Sequence, residues 1–118
     1  MIQSFRDLDV WQKSMKLAEH VYESTEKFPR SEEFGLRSQV RRAVVSIPSN
    51  IAEGKAIGGQ GYRRHVKIAL GSNAELQTQL ELSARLSLLS QPVAVTLLAQ
   101  AAEIGRMLAG LLKALPKS

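Results

Sequence analysis

The chain has no cysteine, which excludes disulfides and thiolate metal sites. Aromatic residues make up only 5% of its 118 positions. Its first residues, MIQSFRDLDVW, lack the basic start and apolar run of a secretory leader. No apolar stretch reads as approaching the roughly 18 residues of a membrane span. The expectation is a soluble, cytoplasmic protein with no membrane partner.

Recognisable chemistry is equally scarce. His20 and His65 fall on different expected helices with no carboxylate cluster near either, and no metal-ligand spacing occurs. The Gly-x-Ser-x-Gly of a nucleophile elbow is absent. The glycine-rich KAIGGQG, residues 55–61, matches neither a P-loop nor a dinucleotide fingerprint. Glu53 is the only acid in a basic segment and reads as an ion-pair partner of an arginine, not as a general acid. Catalytic residues, metal and cofactor are all expected to be none, and the chain is not read as an enzyme.

What is present favours helices. Leu, Ala, Ser, Glu and Gln dominate, a helix-forming mix, and 118 residues suit one domain over 1–118. A first helix is predicted from Asp7 or Asp9 to Phe28, stopped by Pro29. Its expected stripe is Leu8, Trp11, Met15, Ala18, Tyr22 and Thr25, with Trp11 and Tyr22 as core anchors. Ser31 before Glu32 and Glu33 predicts the start of a second helix that runs to about Gly54. Pro48 inside it predicts a kink, with one continuous helix preferred because the apolar spacing stays in phase.

The second helix organises the chain. At about 100° per residue, Leu36, Val40, Val44, Ile47 and Ile51 share one face. Arg42, Ser46, Asn50 and Glu53 share a neighbouring face. Val45 and Ala52 add apolar surface away from the first stripe, more than a lone bundle needs. Residues 55–61 are expected to form a flexible loop. A third helix of about 28 residues follows, with a stripe of Tyr62, Val66, Ala69, Asn73, Leu76, Leu80 and Ser83. A second stripe holds Leu82, Leu86 and Leu89. Gly71, Ser72 and Asn73 would let another helix approach closely. Ser90 and Pro92 open a fourth helix carrying Leu97, Ala101, Ile104, Leu108, Leu111 and Leu115. Four helices on short connections predict an all-α, up-down-up-down antiparallel four-helix bundle, and its excess apolar surface predicts oligomerisation.

Charge is unevenly spread. The net +5 is concentrated in residues 35–70, which carry seven basic residues against one acid. Arg37, Arg41, Arg42, Lys55, Arg63, Arg64 and Lys67 form the candidate phosphate-binding patch. Ser46, Asn50 and Glu53 form a polar stripe read as structural, since internal polar groups need partners.

One string is distinctive: Arg41, Arg42, Ala43, then Ser46-Ile47-Pro48-Ser49-Asn50-Ile51-Ala52-Glu53-Gly54. Phe5, Leu8, Trp11, Phe28, Pro29, Gly35, Leu36 and Gln39 precede it, and Ala69, Gly71, Ser72, Glu75 and Leu76 follow. With these residues the chain resembles the four-helix-bundle proteins encoded in intervening sequences of bacterial large-subunit ribosomal RNA genes. The resemblance implies an antiparallel bundle assembled as a ring-like homopentamer. It also implies similarity to the accessory variability protein of diversity-generating retroelements, a basic pentamer associated with nucleic acid and a reverse transcriptase. Where family members tend to have a Ser and an acidic-aromatic pair, this chain has Gly58-Gly59-Gln60-Gly61-Tyr62-Arg63.

The expected function is therefore binding of structured RNA or DNA through a basic surface, by backbone and shape. The alternative is a scaffold whose ring binds a protein partner.

Overall fold

The structure is a computed structural model that describes residues 3–117, so Met1, Ile2 and Ser118 lie outside the described residues. A short 3-10 turn over Phe5–Asp7 comes first. Ser4 caps it by accepting from the Arg6 N–H, and the Asp7 carboxylate accepts from the backbone N–H groups of Gln3 and Ser4 at 3.0 and 3.1 Å. Helix α1 then spans Asp9–Ser24, so Asp9 opens the helix and Asp7 closes the turn before it.

The buried face of α1 is Val10, Ser14, Leu17 and Val21, continued by Thr25. Val10, Ser14, Leu17 and Val21 each lie one residue before the expected Trp11, Met15, Ala18 and Tyr22, while Thr25 is buried as expected. The displacement has a physical reason. Ser14 and Thr25 donate their hydroxyls to the carbonyls of Val10 (2.7 Å) and Val21 (2.8 Å), which removes the cost of burying them. The rings move to the rim instead: Trp11 is half-buried, edge-on to Phe5 at 5.3 Å, while Met15 and Tyr22 are exposed. Tyr22 is thus not a core anchor, and Trp11 packs against the core from its edge. Nor does the helix reach Phe28, which joins the core from the turn that follows.

A second 3-10 turn, Arg30–Glu32, precedes helix α2, Leu36–Ile57. Ser31 does not cap α2. Glu32 does so from outside, its carboxylate accepting from the Leu36 N–H at 2.9 Å. The acid therefore meets the positive end of the helix dipole without being part of the helix. As expected, α2 runs unbroken through Pro48, which is buried together with Val40, Val44, Ile47 and Ile51.

The expected loop at 55–61 is not there. α2 continues to Ile57, α3 begins at Gly59 and runs to Arg85, and Gly58 alone joins them. Gly58 has φ +77° with ψ −177° and Gly59 has φ +56°, backbone that glycine adopts readily. The glycines make a tight corner between two long helices. Composition alone reads the same residues as slack.

The main stripe of α3 is buried from Tyr62 through Ser83 as expected, but Leu82 and Leu86 are exposed and Leu89 alone joins the core. Ser87, at φ +62°, turns the chain, and the Leu88 N–H returns to the Ser83 carbonyl at 2.8 Å. Helix α4, Gln91–Ala114, has Ser90 as its cap and Pro92 in its first turn. It buries Ala94, Leu97, Ala101, Ile104 and Leu108. By length and composition α4 is apolar enough to cross a membrane, contrary to the sequence reading; in the fold one face packs into the core.

Each helix packs on two neighbours: α2 on α1 and α3, and α4 on α1 and α3. The result is a four-helix bundle, 44 × 24 × 22 Å, with no strand among the described residues. Its long axis matches the roughly 40 Å expected of a 27-residue helix. Leu17, Val44, Ile47, Leu76, Leu80 and Ile104 fill its centre.

Candidate functional site

The seven basic residues do not form one patch. Arg37, Arg41 and Arg42 lie near the start of α2, against the end of α1; Arg63, Arg64 and Lys67 lie at the start of α3, against the end of α4. The Arg41–Gly54 stretch of α2 separates the two groups, about 20 Å at 1.5 Å per residue.

Within each group some cations already have partners. Arg41 donates from Nε to Thr25 Oγ1 (2.9 Å) and from Nη2 to the Tyr22 carbonyl (3.0 Å), and it pairs with Glu26 at 3.3 Å. Its guanidinium also lies over the Tyr22 ring, 4.3 Å from the centroid. Arg41 is a clamp between α1 and α2. Arg37 approaches the same Glu26 at 3.7 Å. Arg63 donates to the Leu112 carbonyl at 2.8 Å, satisfying one of the open carbonyls at the α4 C-terminus. Lys55 sits 5.8 Å from the centroid of the Tyr62 ring, whose phenol is pushed up from its ordinary pKa by burial.

Arg42, Arg64 and Lys67 are exposed, and no carboxylate among the described residues lies within 4.0 Å of them. Arg63, Arg64 and Lys67 are joined by Lys117, which sequence reasoning missed because it is distant in the chain; together they line a groove of about 360 Å³ with Gln60 and Gly61. None of those lining residues is acidic.

The polar stripe lies between α2 and α3. Ser46 and Ser72 hydroxyls are 2.8 Å apart, and Asn50 Nδ2 donates to the Ser46 carbonyl (2.8 Å) and hydroxyl (3.0 Å). Asn50 Oδ1 lies 2.8 Å from His65 Nδ1, and His65 Nε2 lies 3.8 Å from Glu53. His65 is buried, Glu53 exposed. Two readings change: Glu53 faces a histidine and not an arginine, and His65 does have a carboxylate neighbour. Glu53 is on α2 and His65 on α3, across the corner at Gly58, so no single-helix periodicity could pair them. No group of three or more His, Cys, Asp or Glu that could hold a metal occurs among the described residues.

Close approach of the helices makes this network possible. A Cβ on Gly54 would lie 2.8 Å from His65 Cβ and 3.3 Å from Tyr62 Cα. Glycine is required there for space, not for its backbone angles.

Compared with known proteins, residues 6–110 match the model of the 23S rRNA-intervening sequence protein family. The fold is similar to the crystal structure of a protein of unknown function from the S23 ribosomal protein family of Bacteroides thetaiotaomicron, with a TM-score of 0.81 and 24% identity. That likeness covers 88% of this chain and 98% of the other. No curated protein matches the chain.

Proposed function

The chain belongs to the 23S rRNA-intervening sequence protein family, and from that premise we propose a non-catalytic homopentameric bundle that binds structured RNA or DNA through its basic surface. The helices run up-down-up-down. In support, Gln39, Ser46 and Asn50 along α2 meet Gln79, Ser72 and His65 along α3, rising numbers against falling ones.

One observation carries the nucleic-acid reading: the groove of Arg63, Arg64, Lys67 and Lys117 contains four cations and no acid. Exposed cations without counter-charges attract phosphates and release the counterions of a nucleic acid. Five copies of a weak patch on one ring multiply its effect. Assembly is supported by exposed Val45, Ile68, Leu82, Leu86 and Val95, apolar surface that a second subunit would cover. The same residues favour the second reading, a scaffold that binds a protein.

Fluorescence anisotropy with a structured RNA, a DNA duplex and a DNA hairpin tests this, alongside light scattering for the mass. Affinity should fall with salt at a log–log slope of about 0.9 per duplex phosphate contacted, and Arg64→Gln or Lys67→Gln should each lower that slope by about 1. An intact oligomer that binds none of the three at low salt refutes the reading and favours the protein scaffold.

A further inference from the structure

Phe34 is 90% exposed, the highest value among the large hydrophobic side chains. The turn that carries it is fixed on both sides. The Gly35 N–H donates to the Glu32 carbonyl at 3.2 Å, and the Leu36 N–H donates to the Glu32 carboxylate at 2.9 Å. Beside the ring opens a groove of about 600 Å³, lined among others by Tyr22, Arg37, Arg41, Arg42 and Val45. That volume lies within the range of sites that enclose small organic ligands. Arg41 already occupies a face of the Tyr22 ring, whereas Phe34 has no aromatic or cationic partner among the described residues.

We propose that this groove takes an unpaired nucleotide of a nucleic-acid strand, its base stacked on Phe34 and its flanking phosphates against Arg42 and Arg37. Charge decides the occupant. Three arginines and one acid, Glu33, line the groove. Arg41 and Arg37 share Glu26, and Arg42 has no carboxylate within 4.0 Å among the described residues. An apolar protein segment seated there would bury the Arg42 guanidinium without supplying a counter-charge. A nucleotide supplies both the flat apolar face and the anion. Stacking on an aromatic ring is tolerant of sequence and needs a base free of its own stack, so this groove favours single strands over duplexes. The inference rests on the nucleic-acid reading above and adds base contact to it.

The test uses the whole protein in its assembled state with two probes. One is a single-stranded RNA of about 12 nucleotides, the order of a single-strand footprint; the other is the corresponding RNA duplex. Phe34→Ala should weaken strand binding about 5- to 150-fold, the range of one base–aromatic stack, and leave duplex binding and the solution mass unchanged. Phe34→Trp should restore strand binding. Strand binding by Phe34→Ala at wild-type strength overturns the proposal, as does an equal loss for strand and duplex. A changed mass overturns it too and makes this face an interface between copies. Failure of the parent reading looks different: the wild-type protein then binds neither probe, which removes both proposals together.

Discussion

Replacing Asn50 with alanine asks whether the polar stripe holds α2 to α3. The Ser46 carbonyl can only accept, so Asn50 Nδ2 faces it and Asn50 Oδ1 is turned to His65. His65 Nδ1 must then carry the proton and donate. Asn50→Ala leaves that buried donor without its acceptor, which costs about 1–3 kcal/mol. Alanine's better helix propensity returns at most about 0.7 kcal/mol. With a mid-range cost of about 2 kcal/mol the net loss should be about 1.3 kcal/mol, or about 5 °C in Tm for a domain of this size. Urea unfolding followed by circular dichroism measures it. A cycle with His65→Phe isolates the contact: without the imidazole donor, Asn50→Ala should cost less, with a coupling of about 0.5 kcal/mol or more. Stability within about 0.5 kcal/mol of wild type refutes the reasoning, and so does strict additivity of the two losses. Loss of nucleic-acid binding with melting and mass unchanged would instead make the stripe a binding surface.

Two glycines separate space from flexibility. Gly54→Ala must push against His65 Cβ and the Tyr62 backbone, and overpacking of about 1–3 kcal/mol outweighs the roughly 1 kcal/mol gained by removing a helical glycine; Tm should fall. Gly71 has nothing within 4 Å of a Cβ, so Gly71→Ala in the same melting assay should stabilise by about 0.5–1 kcal/mol. Arg41→Met removes the clamp on Tyr22, Thr25 and Glu26 and should cost about 2 kcal/mol of stability in urea unfolding, while its effect on duplex binding stays below that of Arg64→Gln. The hydrogen bond and charge of Lys13 hold the Glu103 carboxyl below its ordinary pKa. In Lys13→Ala an NMR titration should find it back toward the usual carboxylate range. A depressed carboxylate stabilises above its unfolded pKa and ceases to as pH falls through its folded one, so this small contribution vanishes in acid.

Periodicity by itself determined the class of fold. Val40, Val44, Ile47 and Ile51 on α2, and Tyr62 through Ser83 on α3, were legible because a helix that buries one face must repeat apolar residues every three or four positions. Family membership was legible because the Ser46–Gly54 string is contiguous. Tertiary structure decided what depends on relations between helices. The stripe of α1 up to Val21 lay one residue earlier because the buried Ser14 hydroxyl bonds to its own helix, an option that hydrophobicity does not register. The glycines near residue 58 became a corner because a positive φ and a slack chain call for the same residue. The basic residues, close in sequence on the second helix and the start of the third, divided between two ends. Arg41 was taken up by a carbonyl and an acid at the end of α1 and Arg63 by a carbonyl of α4, and Lys117 entered from the far end of the chain. His65 met Asn50 and Glu53, and Tyr22 came to line the groove beside Phe34 and the arginines of α2, only once the bundle closed. A sequence specifies which residues share a helix face directly, through local geometry; which faces meet follows from packing many residues apart.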